Sequence, residues 1–107
     1  MKHIIYSKLV RDRIPDIITA SGKRCDIRTL SAEEYPAMLK AKLHEEIAEY
    51  EESGELEELA DILEVLYALA AADGSTPEEL ETLRLRKARE RGGFAAKIFL
   101  LSVEEAD

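Results

Sequence analysis

The stretch from Leu56 to Asp73 is the sequence feature that most constrains how this chain can fold. Its apolar residues recur at helical spacing but wrap more than one face, and a helix of this kind is buried on most of its sides. A chain of 107 residues fits one domain, residues 1–107, and has few other helices to cover this one. We therefore predict a helical bundle whose core is completed by dimerisation, as a homodimer or a dimer of dimers.

Capping signals predict three more helices and thereby an all-α fold. In Ser31-Ala32-Glu33-Glu34 the serine hydroxyl can accept from the Glu34 amide while the Glu34 carboxylate reaches back, which is a capping box. Pro36 comes late for such a start, and it is expected either to distort the first turn or to move the true start of the helix forward. The predicted helices run from about Ile14 to a stop at Gly22, from the Ser31 box to about Glu52, and from Thr76-Pro77 to about Arg91. Residues 3–6 and 94–103 are expected to form short terminal extended segments.

Composition and charge exclude several classes of partner. The formal net charge of -8 repels nucleic-acid backbones and anionic membranes, so neither a nucleic acid polymer nor a membrane is expected as a partner. Cys25 is the single cysteine and cannot form an internal disulfide, which indicates a reducing compartment. No signal-peptide core follows Met1, and the longest apolar-rich stretch is far too short to span a bilayer. We expect a cytoplasmic protein.

Two acidic pairs stand at matching positions on either side of Ser53-Gly54. Glu46 and Glu49 are three residues apart in the second predicted helix, and Glu58 and Asp61 have the same spacing in the third. Residues with this spacing share a helix face, and the short connection makes the two helices antiparallel neighbours. The four carboxylates are therefore expected to face one another near the turn.

Four carboxylates in one groove repel one another or take up protons unless a hard divalent cation neutralises them. Magnesium is the ordinary cellular choice, with manganese as a substitute. The competing interpretation is a pair of acidic helices whose glutamates simply face solvent. Asp61 weighs against it, because aspartate is a poor helix former and stands here within a strongly apolar helix. Spacing alone leaves both interpretations open.

The acidic helices resemble the E-E-x-x-E … E-x-x-D signature of the MazG-like, all-α NTP pyrophosphohydrolase superfamily. The matching residues are Leu43-His44-Glu45-Glu46-Ile47-Ala48-Glu49 and Glu58-Leu59-Ala60-Asp61-Ile62-Leu63. Two further runs resemble its phosphoribosyl-ATP pyrophosphohydrolase-like subgroup, Lys8-Leu9-Val10-Arg11-Asp12-Arg13-Ile14-Pro15 and Lys87 … Arg91-Gly92-Gly93-Phe94. The resemblance covers nearly the whole chain. It implies a four-helix core of the MazG-like type, a dimer or larger assembly, and hydrolysis of a nucleoside triphosphate to the monophosphate and pyrophosphate.

The resemblance also implies roles for individual residues. The metal ligands would be Glu46, Glu49, Glu58 and Asp61. Glu45 or Glu49 would accept a proton from the attacking water. An acidic site needs cations to hold a triphosphate, and the candidates are Lys8, Arg11, Lys87 and Arg91. Basic residues near helix ends more often serve solvation or dipole complementation, so these four are the weaker part of the set.

The predicted function is therefore that of a magnesium-dependent nucleotide pyrophosphohydrolase. The identity of the nucleotide stays open, because base and sugar contacts cannot be placed from the sequence. Phosphoribosyl-ATP, a canonical deoxynucleotide and a damaged nucleotide are all compatible with it. The alternative from another class is a non-catalytic dimeric helical module that binds or senses nucleotide.

Overall fold

Four helices account for the regular structure of residues 2–106. In a computed structural model that describes residues 2–106, the helices are α1 (Ile14–Ala20), α2 (Tyr35–Ser53), α3 (Leu56–Ala72) and α4 (Pro77–Arg91). No β-strand occurs within residues 2–106, so the all-α prediction is confirmed. The expected extended segments at 3–6 and 94–103 do not pair as strands, because neither finds a partner strand in the described chain. None of the helices in this range has both the length and the apolarity to cross a bilayer.

The predicted capping box forms at the start of α2. The Glu34 amide donates to Ser31 Oγ at 3.2 Å, and the Ser31 amide donates to the Glu34 carboxylate at 2.9 Å. The helix itself begins at Tyr35, with Pro36 in its first turn, so of the two expected effects of the proline the later start is the one that occurs. Arg28 adds two hydrogen bonds to the Glu34 carboxylate, each 3.0 Å long. The connection before α2 is thereby tied to the first turn of the helix.

Replacing Glu34 should change how stability depends on pH. The paired Arg28 guanidinium, with help from Ser31, lowers the pKa of Glu34 to about 2. The unfolded value is about 4.3, so Glu34 stabilises the fold above that pH, and this contribution is lost as the pH falls toward 2. We expect Glu34→Gln to flatten the dependence of Tm on pH between about 4.5 and 2, measured by circular dichroism. Glu33→Gln is the control, and an unchanged profile in Glu34→Gln would contradict the pairing.

Helices α2 and α3 form an antiparallel hairpin. Gly54 joins them with a φ of 67°, a left-handed conformation that glycine adopts without steric cost, and its amide donates to the Tyr50 carbonyl at 2.7 Å. Leu39 of α2 and Val65 of α3 are the only hydrophobic residues of the described chain that are buried. The first turns of α4 pack on α3. There, Leu80 of α4 lines a groove together with residues of the hairpin.

The single chain leaves much apolar surface uncovered. Its solvent-accessible surface is 10027 Å², whereas a compact monomer of 12.0 kDa exposes about 6,000 Å². The radius of gyration is 19.1 Å, against about 13 Å for a compact domain of this length. Three exposed leucines lie on the side of α3 opposite the buried Val65, and we call them the α3 stripe: Leu56, Leu59 and Leu63. The segment after α4 is likewise exposed.

Candidate metal centre

The acidic residues predicted for the site converge at the turn end of the α2–α3 hairpin. Carboxylate oxygens of Glu46, Glu58 and Asp61 lie within 4.8 Å of one another. Carboxylate oxygens of Glu45, Glu46 and Glu49 form a second group, and they also lie within 4.8 Å of one another. The structure thus brings all five side chains together, and we call them the carboxylate cluster. Binding of a metal to them stays a prediction.

Glu46 belongs to both groups and is the buried member of the cluster. Its side chain is 8% exposed, and its Oε2 atom is buried without a hydrogen-bond partner among the described residues. Burial raises the pKa of Glu46, and the Glu49 carboxylate adds to this effect against the opposing Lys42 ammonium. Burial and the neighbouring Asp61 carboxylate also raise the pKa of Glu58. Mutually repelling carboxylates around one buried member are stabilised by a cation placed between them.

Two of the four predicted phosphate-binding cations lie on the cluster. Lys8 Nζ is 3.1 Å from Glu45 Oε1, and Arg11 Nη2 is 2.6 Å from Asp61 Oδ1. The hydrogen bond with Glu45 raises the pKa of Lys8, because it favours the charged ammonium. The Lys8 and Arg11 side chains are 39% and 54% exposed. Ion pairs at such positions contribute only about 0–1 kcal/mol, so both cations can change partners at little cost.

The other two predicted cations do not reach the cluster within one chain. Lys87 and Arg91 are exposed on the last turns of α4, and neither forms an ion pair within residues 2–106. The physical reason is the packing of α4, which contacts the hairpin around Leu80 near its own start. A phosphate site shared by all four cations is therefore not formed by the single chain.

Lys42 also belongs to the site, although its role was not predicted. Its ammonium lies 3.1 Å from Glu46 Oε1 and 3.4 Å from Glu45 Oε1, and its side chain is 15% exposed. It precedes these glutamates by three and four residues on α2, the spacing at which helical side chains pair. Lys42 is therefore the cation that accompanies the buried Glu46 carboxylate.

Replacing Lys42 by methionine should destabilise the fold, because the aliphatic stem is kept while the cation beside buried Glu46 is lost. We expect the free energy of unfolding to fall by about 1–3 kcal/mol at pH 7. The loss should narrow at about pH 4, because burial raises the pKa of Glu46 and this carboxyl is protonated first as the pH falls, whereas Glu45, whose pKa is lowered, keeps its charge to lower pH. Urea unfolding at both pH values measures it. Lys40→Met, at an exposed lysine of the same helix, is the control, and equal losses at both pH values would contradict the pairing.

Comparison with known proteins relates one part of the chain to another protein. No protein-family model matches the sequence, and no solved structure matches it. Over 43 residues the chain is 63% identical to a protein of Mycolicibacterium smegmatis that is described as uncharacterized. The match covers 40% of this chain and 44% of that protein. The site geometry, rather than a relative, therefore carries the functional argument.

Proposed function

We propose that this chain is a magnesium-dependent nucleotide pyrophosphohydrolase of the MazG-like superfamily, in its phosphoribosyl-ATP pyrophosphohydrolase-like subgroup. It would hydrolyse the α–β phosphoanhydride of a nucleoside triphosphate to give the monophosphate and pyrophosphate. The observation that carries the proposal is the juxtaposition of the carboxylate cluster with Lys8 and Arg11 at one end of the hairpin. Carboxylates bind hard divalent cations, whereas ammonium and guanidinium groups bind phosphate oxygens. A triphosphate with its divalent counter-ion requires carboxylates for the cation and basic side chains for the phosphate oxygens.

The donor set fits a hard divalent cation. Glu46, Glu49, Glu58 and Asp61 would hold Mg²⁺, or Mn²⁺ in its place, because they offer oxygen atoms only. The buried Glu46 Oε2 has no hydrogen-bond partner among residues 2–106, so its lone pairs are free to ligate. When bound, the cation would neutralise the carboxylates, lower the pKa of a water ligand and offset negative charge on the phosphate oxygens.

The two candidate proton acceptors differ in their surroundings. Burial acts to raise the pKa of Glu45, but the hydrogen bond from Lys8 and the charge of Lys42 outweigh it, and the pKa is lowered. A carboxylate of lowered pKa is a weaker base, so Glu45 is better suited to position Lys8. Glu49 is then the residue proposed to take the proton of the water whose oxygen attacks the α-phosphorus. The bond from that phosphorus to the bridging oxygen breaks, and pyrophosphate leaves.

Lys8 and Arg11 are proposed to bind the phosphate oxygens. Both stand at the edge of the cluster on exposed side chains, where a phosphate can replace a carboxylate as their partner. The planar guanidinium of Arg11 can donate two parallel hydrogen bonds to one phosphate group, and the Lys8 ammonium supplies a compact charge. Together they would orient the triphosphate so that its α-phosphorus faces Glu49.

A homodimer, with a dimer of dimers as the larger assembly, is part of the proposal. The chain exposes roughly 4,000 Å² more than a compact monomer of its mass. That excess exceeds what one partner contributes to a large obligate interface. The exposed α3 stripe and the small number of buried residues point the same way. A four-helix core of the MazG-like type would then be completed between two chains.

Pyrophosphate release from a panel of nucleotides, with and without magnesium, tests the proposed function. The panel should include phosphoribosyl-ATP, canonical deoxynucleoside triphosphates and oxidised nucleotides. Magnesium-dependent release from one of them would support the proposal and name the substrate. A nucleotide that raises Tm with magnesium but is not hydrolysed would favour the non-catalytic nucleotide-binding module instead. Well-folded protein that shows neither response would reject both functions.

A further inference from the structure

An exposed aromatic ring stands next to the carboxylate cluster. The Lys8 ammonium lies over the Tyr6 ring, 5.6 Å from the ring centroid, and the same ammonium is 3.1 Å from Glu45 Oε1. A single side chain, Lys8, therefore connects the ring with the cluster. Tyr6 is 66% exposed, so much of its surface is open to a ligand.

The backbone between Tyr6 and Lys8 has an uncommon conformation. Ser7 has a φ of 46°, in the left-handed region, where residues other than glycine meet steric hindrance. Such conformations cost free energy and are concentrated at functional sites. The turn of the chain at Ser7 brings the Tyr6 ring against the Lys8 ammonium. The local backbone thus holds the ring beside a cation of the proposed site.

Packing within the chain does not account for the Tyr6 ring. The preceding Ile4 and Ile5 are exposed as well, so this segment contributes nothing to a core within residues 2–106. The contact with Lys8 contributes little stability, because cation–π pairs are weak at exposed positions. Apolar side chains clustered on a protein surface mark an interaction site. The ring is therefore better explained by a ligand than by the stability of the single chain.

A nucleotide offers the ring a partner. If Lys8 binds a phosphate, its ammonium moves from Glu45 and from the Tyr6 ring to the phosphate oxygens, and the face of the ring becomes free. The base of the same nucleotide lies close by, since only the sugar separates it from the α-phosphate. Proteins that bind nucleotides without reading their sequence combine cations for the phosphates with aromatic rings for the bases. Lys8 and Tyr6 form such a combination.

We propose that Tyr6 stacks on the base of the bound nucleotide and forms a base subsite that prefers purines to pyrimidines. A stack recognises the face of a base, which all bases share, so the preference follows the area of the stacked rings rather than the polar groups at the base edge. A purine has two fused rings and covers more of the tyrosine. The proposal rests on the proposed function, because it requires a nucleotide whose phosphates Lys8 binds.

Isothermal titration calorimetry with two ligands in the presence of magnesium tests the subsite. One ligand is the α,β-methylene analogue of ATP, which cannot be cleaved between its α- and β-phosphorus atoms, and the other is tripolyphosphate, which has no base. Tyr6→Leu keeps an apolar side chain but removes the aromatic face. We expect the affinity for the nucleotide analogue relative to tripolyphosphate to fall by about 5–150-fold. Any change in how Lys8 binds phosphate affects both ligands and cancels in this ratio.

Two comparisons make the test specific for stacking. Tyr6→Phe keeps the aromatic face and should keep the wild-type ratio. The α,β-methylene analogue of CTP should lose less affinity in Tyr6→Leu than the ATP analogue does, because a pyrimidine stacks over a smaller area. An equal or larger loss for the CTP analogue would overturn the preference for purines.

Fluorescence reports the stack directly, because the chain has no tryptophan. In Tyr6→Trp the new indole should be quenched by the ATP analogue and not by tripolyphosphate. Tyr35→Trp is the control, since Tyr35 begins α2 at the end of the hairpin away from the turn, and its indole should not respond to either ligand.

The outcomes separate failure of the subsite from failure of the proposed function. If Tyr6→Leu keeps the wild-type ratio while both ligands bind, the base subsite is overturned and the proposed function stands. If Tyr6→Leu loses both ligands equally, Tyr6 only supports Lys8, and the subsite is overturned as well. If the wild-type protein binds neither ligand, the subsite falls together with the proposed function.

Discussion

Glu46→Gln and Asp61→Asn are each expected to lower magnesium-dependent pyrophosphate release by at least about 100-fold, because changes outside the ligand shell of a metal already cost 10–100-fold. Each change replaces a charged oxygen donor of the carboxylate cluster with a neutral amide. The helices should persist. Glu46→Gln removes the unfavourable burial of a charged carboxylate, which stabilises the fold, but it also weakens the pair with Lys42, which destabilises it. Asp61→Asn weakens an exposed pair with Arg11, which contributes about 1 kcal/mol or less.

Steady-state kinetics and a metal titration together check this result. Glu51→Gln is the matched control, since Glu51 is exposed on the side of α2 away from Glu46. Binding of Mn²⁺, followed by electron paramagnetic resonance, should weaken in both variants and be unchanged in the control. Full activity in either variant would reject the proposed metal ligands. Loss of the helical circular dichroism signal in both would make the two residues structural instead.

The helices were predictable because their ends are decided by residues close together in the sequence. The hydroxyls of Ser31 and Thr76 accept from the amides three residues later, as their positions predict. Pro36 left two possibilities for the start of α2, a distorted first turn or a later start, and the helix begins later, at Tyr35. A strand, by contrast, needs a partner from elsewhere in the chain. The pattern of residues 3–6 and 94–103 carries no information about such a partner, and the expected extended segments did not become strands.

The candidate site divides in the same way. The meeting of Glu46 and Asp61 follows from helical spacing and a short turn, so the sequence sufficed to predict it. Lys42 was missed, because a lysine four residues before a glutamate is usually a surface pair. The Lys42–Glu46 pair differs from a surface pair only because Glu46 is buried, and burial is a property of the tertiary structure. Lys87 and Arg91 depend on how the end of α4 packs, which their own sequence does not specify.

Leu63→Glu is expected to weaken the proposed dimer by roughly 1000-fold. Leu63 lies in the α3 stripe and is 45% exposed in the single chain. In the dimer its side chain would be covered, so the variant loses apolar burial and leaves a charge without a partner, at a cost of about 2 kcal/mol per site. The change occurs twice in a symmetric pair. The doubled cost of about 4 kcal/mol corresponds to about three orders of magnitude in Kd.

Sedimentation velocity over a range of concentrations measures the shift from dimer to monomer. Ala48→Glu adds the same charge at an exposed position of α2 on the side away from Glu46, and it should leave the mass unchanged. Glutamate is a good helix former, so α3 should keep its circular dichroism signal in the variant. A variant with the wild-type dissociation constant would show that the α3 stripe is not part of the interface. Since the stripe shares its helical turns with Glu58 and Asp61, dissociation should also reduce nucleotide turnover, and that loss would link assembly to the site.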